Sequence, residues 1–132
     1  MPIPVDKAMR MVDAAHQKAD QLGIAVTAAV VDEGGRLIAV GRMDKARPLS
    51  LDVAVNKAYT AAQFQQPTSE LAKVAQESWF ASLVASTQGK VMPVGGGIPI
   101  EEEIAIIGAI GVSGGTPDQD EECCKAAAAT MG

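Results

Sequence analysis

One histidine, His16, stands in this 132-residue chain. The apolar residues around it, Val5, Ala8, Met9, Val12, Ala15, Ala19 and Leu22, recur at three- and four-residue intervals, and on a helical wheel His16 falls between Met9 and Val12. An imidazole held among Met, Val and Ala can ligate haem iron through one ring nitrogen. It can equally be a core or subunit-contact residue satisfied by a hydrogen bond. Arg42, Asp44 and Lys57 form a second set. Arg42 and Lys57 can hold a carboxylate, the guanidinium in bidentate fashion. Asp32 and Asp44 are candidate general bases. The alternative for all four is an internal ion pair of Arg42 or Lys57 with Asp44 or Asp32 that fixes a loop. Gly95, Gly96 and Gly97 expose backbone N–H groups that can form an anion nest, a plain turn, or a floor over which a flat ligand approaches closely.

Other patterns fail on context. Gly111-Val112-Ser113-Gly114-Gly115 has the G-x-S-x-G form of a nucleophile elbow, but such a triad needs a histidine after the serine and none follows. The glycine run lacks the Lys and Ser/Thr of a phosphate loop. Met1-Pro2 suggests a catalytic N-terminal proline, yet that chemistry sets the proline at the start of a strand, and here Pro4 and a helix follow. Cys123 and Cys124 are adjacent, point about 100° apart on a helix, and read as core filling.

The elements that position these groups follow from periodicity. Residues 5–22 form an amphipathic helix that Gly23 ends. Ala25 to Val31 and Leu37 to Val40 form a β-hairpin through Asp32-Glu33-Gly34-Gly35-Arg36. The unbroken apolar run from Ala28 to Val31 places the first strand centrally, covered on both faces. A second helix runs from about Leu51 to Phe64, and a third helical stretch after Pro67 carries Trp79 and Phe80. β character returns from Val91 to Val112, with Ile104 to Val112 the longest strand. Thr116-Pro117-Asp118-Gln119 starts a closing helix, with Thr as cap, Pro first and Gln three after the cap. Hairpins with intervening helices imply a largely antiparallel sheet in a single domain over residues 1–132.

The net charge of −5, with Lys and Arg dispersed, argues against nucleic-acid binding. No apolar run reaches membrane-spanning length, and Asp6, Lys7 and Arg10 interrupt the start where a signal peptide would be continuous, so a cytoplasmic location is expected.

Ala29-Val30-Val31-Asp32-Glu33-Gly34-Gly35, Arg42-Met43-Asp44, Lys57-Ala58-Tyr59-Thr60-Ala61-Ala62, Gly96-Gly97-Ile98-Pro99-Ile100 and Ile107 through Gly115 occur in an order and spacing that resembles the GlcG/HbpS family, which includes the C-terminal domain of PduO-type proteins. The likeness spans about residues 5–130. It implies an α/β (α+β) fold, a profilin-like α-β-α sandwich with a five-stranded antiparallel sheet flanked by helices, and homo-oligomers. Some members of the family bind haem; others accompany catabolic pathways. Lys45 stands where the family often has glycine and adds positive charge beside the expected pocket. Glu101-Glu102-Glu103-Ile104 replaces a looser, glycine-containing turn.

The resulting expectation is a homo-oligomeric small-molecule-binding protein with haem as its ligand, seated between the Gly95-to-Gly97 loop, Arg42 and Lys57, with His16 as iron ligand. The alternative is an accessory enzyme acting on a small carboxylated or carbonyl compound, with Asp32 or Asp44 as base, and a third reading is an assembly scaffold.

Overall fold

A computed structural model describes residues 3–131, so Pro2 lies outside the described residues. The elements run α1 (Val5–Leu22), β1 (Thr27–Asp32), β2 (Leu37–Arg42), α2 (Leu49–Phe64), α3 (Thr68–Leu71) with a 3₁₀ turn over Ala72–Val74, α4 (Ser78–Ser86), β3 (Gly97–Glu102), β4 (Ala105–Ser113) and α5 (Pro117–Ala128). The strands form one antiparallel sheet in the order β2-β1-β4-β3.

Three layers result. Ala28, Val30, Ile110 and Val112 project from one face of the sheet onto Ala8, Met11, Val12, Ala15 and Ala19 of α1 and Cys123, Cys124 and Ala127 of α5. Val31 and Ala109 project from the other onto Ala58, Ala61 and Ala62 of α2. β1 is buried along its length, as its unbroken apolar run predicts. The contact between α2 and β4 depends on Gly111, where a Cβ would meet the Ala54 carbonyl and the Ala58 amide.

The sheet has four strands among the described residues, not the five that the resemblance implies. Residues 91–94 have strand-like composition, but their backbone groups are taken by side chains. The Met92 N–H donates to Thr60 Oγ1 at 2.8 Å, the Val91 N–H to Thr87 Oγ1 at 3.2 Å, and Thr68 Oγ1 donates to the Val94 carbonyl at 2.6 Å. The Val94 N–H turns back to the Met92 carbonyl at 2.9 Å, so the segment forms a local turn and does not join the sheet.

The buried stripe of α1 is also turned from the expected one. Met11 is fully buried, while Val5 and Met9 are each 57% exposed. The start of α5 forms as read: Gln119 N–H donates to Thr116 Oγ1, the Thr116 N–H donates to Gln119 Oε1, and Pro117 opens the first turn.

Candidate functional site

His16 sits at the edge of the buried stripe of α1, half-buried, facing the end of β2. Its Nε2–H donates to the Gly41 carbonyl at 2.9 Å. That bond places a hydrogen on Nε2 and orients the ring, so that in the neutral form the lone pair lies on Nδ1. The bare Cα of Gly41 makes room for the arrangement, since a Cβ there would lie 2.8 Å from Val12 Cγ1 and 3.0 Å from His16 Cε1.

His16 opens onto a cleft of about 560 Å³ whose walls also include Asp20, Arg42, Met43, Asp44 and Lys45. The segment from Met43 is pinned. The Met43 N–H donates to the Val26 carbonyl at 3.0 Å, Met43 Sδ accepts from the Val26 N–H at 3.3 Å, and the Ala46 N–H returns to the Met43 carbonyl at 3.0 Å. Arg42, Asp44 and Lys45 are exposed, and none forms an ion pair with another described residue. The ion pair between Arg42 and an aspartate that the sequence left open is therefore absent among the described residues.

Lys57 and the glycine run occupy a different place. Lys57 is 3% exposed. Its ammonium donates to Asp120 Oδ2 at 3.0 Å and to the Val112 carbonyl at 3.1 Å. Asp120 in turn accepts the Gly115 N–H at 2.8 Å on its other oxygen. A Cβ on Gly96 would lie 2.7 Å from Lys57 Nζ and 2.8 Å from Asp120 Cβ, and one on Gly97 would strike the Lys57 backbone. Gly95, Gly96 and Gly97 are all buried, so these glycines form a floor over the protein's own ion pair. The structure thus unites Lys57 with Gly95 to Gly97, as the sequence suggests, but separates them from Arg42. The physical reason is Asp120, which neutralises Lys57 in the interior and which the sequence presents as one of several acids at a helix start.

Asp32 lies at the β1–β2 turn, outside the cleft lining. Its carboxylate accepts from the Gly34 and Arg36 N–H groups at 2.9 Å and from Arg36 Nε at 3.1 Å. The Arg36 backbone N–H, reinforced by the Gly34 N–H and the Arg36 guanidinium, holds it below the ordinary carboxylate range despite some desolvation. A carboxylate so stabilised is a turn-former and a weak base. The ion pair of Asp32 is with Arg36.

Cys123 and Cys124 are buried and unpaired. Burial, aided by the Asp120 charge, pushes the Cys123 thiol up to about 11; burial also raises Cys124 well above the ordinary thiol value. Cys124 Sγ donates to the Gly96 carbonyl at 3.1 Å. No group of three or more His, Cys, Asp or Glu side chains that could hold a metal ion occurs among the described residues.

The family model described as "Haem degrading protein HbpS-like" matches residues 3–129. An uncharacterized 15.0 kDa protein from the dhaT-dhaS intergenic region of Citrobacter freundii is 38% identical over 119 residues, covering 89% of this chain and 84% of that protein. The corrinoid adenosyltransferase PduO of Salmonella typhimurium is 34% identical over 119 residues, but the chain spans only 35% of its length. The crystal structure of Klebsiella pneumoniae protein ORFY superimposes with a TM-score of 0.92 at 35% identity, covering 98% of this chain and 90% of that one. A crystal structure of a PduOC:heme complex superimposes with a TM-score of 0.91 at 31% identity, covering 98% and 95%.

Proposed function

Because this chain belongs to the HbpS-like family, we propose that it binds haem in the cleft between α1 and the Arg42-to-Lys45 segment. The observation that carries the reading is the His16 ring, oriented by the bond of its Nε2 to the Gly41 carbonyl and lining a cleft of about 560 Å³. That size lies within the usual range for small-molecule sites, roughly 300–1,000 Å³. A ring nitrogen whose partner N–H is held by a backbone carbonyl is the arrangement that metal-ligating histidines use. The donor set fits the group: His16 would supply a nitrogen ligand to the iron, while Arg42 and Lys45 at the rim would meet its carboxylates. When bound, haem supplies a redox-active iron. The chain's own part is to orient the imidazole, hold the carboxylates and limit the access of water.

The accessory-enzyme alternative finds less support. Asp32 is committed to its turn, and Asp44 is the remaining candidate base that faces the cleft. Self-association belongs to the proposal: Val5 and Met9 on α1 and Leu37 on the edge strand β2 are about half exposed or more, and β2 has one side of its backbone unpaired in the sheet. A cytoplasmic location accompanies it. No helix among the described residues is long and apolar enough to cross a membrane.

Haemin titration tests the reading. The wild-type chain is expected to give a shifted, saturable Soret band that His16→Ala weakens strongly while the far-UV circular dichroism stays unchanged. A free-haemin spectrum in the presence of folded wild-type protein would count against haem binding altogether.

A further inference from the structure

A second cleft, of about 500 Å³, adjoins the first and shares Ile24, Ala25 and Lys45 with it. The two differ in charge. Asp20 and Asp44 face the first, whereas Lys45 and Arg47 are the charged side chains of the second, with no carboxylate in its lining. Neither cation forms an ion pair with another described residue. On a chain of net charge −5 this is a local reversal of sign.

The cleft is built on fixed parts. The Arg47 carbonyl accepts from the Ser50 N–H at 2.9 Å and from Ser50 Oγ at 2.6 Å. Because the Ser50 hydroxyl is spent on that bond, the 2.7 Å contact with Thr27 Oγ1 has Thr27 as donor. Thr27 is fully buried in the central strand and Ser50 is buried, so a chain of hydrogen bonds runs from the sheet to the residue that carries the guanidinium. Opposite, Ser113, Gly114 and Gly115 leave β4 and form the other wall. Gly114 has φ of 149° and packs against the Ala25 carbonyl, which a Cβ would strike. The Ser113 hydroxyl makes no hydrogen bond to another described residue, so it can serve a ligand.

The remaining wall is apolar, with Ile24, Leu49 and Val53. Leu49 is 67% exposed.

We propose that this cleft is a separate site for a small organic carboxylate, its charge held by Lys45 and Arg47, its oxygen met by the Ser113 hydroxyl and its short apolar body laid on Ile24, Leu49 and Val53. A guanidinium and an ammonium with no competing carboxylate supply the anion selectivity. The apolar wall selects a carboxylate with a hydrocarbon body over an inorganic oxyanion, which has no apolar surface to bury there. The site shares Lys45 with the cleft proposed for haem, and Arg47 and Ser113, which lie outside that cleft, distinguish it.

The test is a titration of the uniformly ¹⁵N-labelled full chain, without haemin, using butyrate, inorganic phosphate and butylammonium. Saturable shifts of the Arg47, Gly114 and Gly115 amide signals are expected with butyrate, weaker ones with phosphate, and none with butylammonium. In the double variant Lys45→Met and Arg47→Met the butyrate affinity is expected to fall at least about tenfold with the rest of the spectrum preserved. Equal shifts from butylammonium, or butyrate binding that survives in the double variant, would overturn the site. Phosphate binding tighter than butyrate would overturn the carboxylate assignment. Arg47→Met alone, on an exposed side chain, serves as the second variant.

Discussion

The ammonium of Lys57 on α2 lies 3.0 Å from the carboxylate of Asp120 on α5, and the two side chains, each 3% exposed, join the helices that cover opposite faces of the sheet. Both ions have additional partners, Val112 O for the lysine and Gly115 N–H for the aspartate, so the pair is satisfied where it is buried.

Removing one member strands the other. Lys57→Met is expected to cost about 3–5 kcal/mol, the usual penalty for leaving one ion of a buried pair uncompensated. Lys57→Met combined with Asp120→Leu is expected to recover a substantial part of that loss. Urea midpoints of the wild type, the two single variants and the double variant measure both effects; additive losses in the double variant would show that the two residues do not act as a pair.

Gly41→Ala probes the cleft without replacing the imidazole. The new methyl would press on Val12 and the His16 ring, so the haemin-induced Soret band is expected to weaken while the far-UV circular dichroism is retained. An unchanged band with wild-type affinity would separate the ring's position from haem binding.

The Asp32 turn carries a pH dependence of known sign. Its carboxyl is held below 3.8, chiefly by the Arg36 backbone N–H, so its stabilising effect is complete above that ordinary value and disappears as pH falls through the lower folded one. Asp32→Asn keeps an acceptor for the Gly34 and Arg36 N–H groups but drops the charge. Solvent screening limits the expected loss to under about 1 kcal/mol at neutral pH, and the difference from wild type is expected to close in strong acid. A difference that grew on acidification would reverse the assignment.

Gly111→Ala is expected to destabilise by about 3 kcal/mol, since the methyl would run into backbone atoms of α2 that have no rotamer to escape into. A thermal melt within a degree or so of wild type would mean that α2 shifts on the sheet without cost.

Thiol reagents read the core. With Cys123 raised to about 11 and Cys124 well above the ordinary thiol value, both chiefly by burial, labelling of the native protein in mildly alkaline buffer is expected to be very slow, with two thiols reacting at once in guanidinium. Fast labelling of either in the native state would place it at the surface.

Local chemistry was legible in the sequence, and distant pairing was not. The start of α5 could be read because Thr116, Pro117 and Gln119 act within one turn, and the centrality of β1 because four consecutive apolar residues have no solvent face to offer. Residues 91–94 have the composition of a strand, but Thr60 and Thr68 lie 32 and 26 residues away from the groups they bind, and periodicity carries no trace of them. On α1 the spacing allowed two overlapping stripes, and packing chose the one with Met11. His16, Arg42 and Asp44 were recoverable as neighbours because a strand end and a facing helix gather them. Lys57 was recognisable as a functional type of residue, but its partner is 63 positions away. Arg47 went unmarked, although it is the third cation within six residues, after Arg42 and Lys45.

The bond between Lys57 and Asp120 also sets an order of events during synthesis. As the polypeptide leaves the ribosome, α2 emerges long before residue 120, and at that stage the sheet lacks β4 and the lysine lacks its counter-ion. Sealing a cation into an apolar interior alone is costly, so full docking of α2 depends on α5 supplying the carboxylate. The two faces of the sheet are therefore covered together, and a polypeptide that ends ahead of Asp120 would leave the Lys57 ammonium uncompensated.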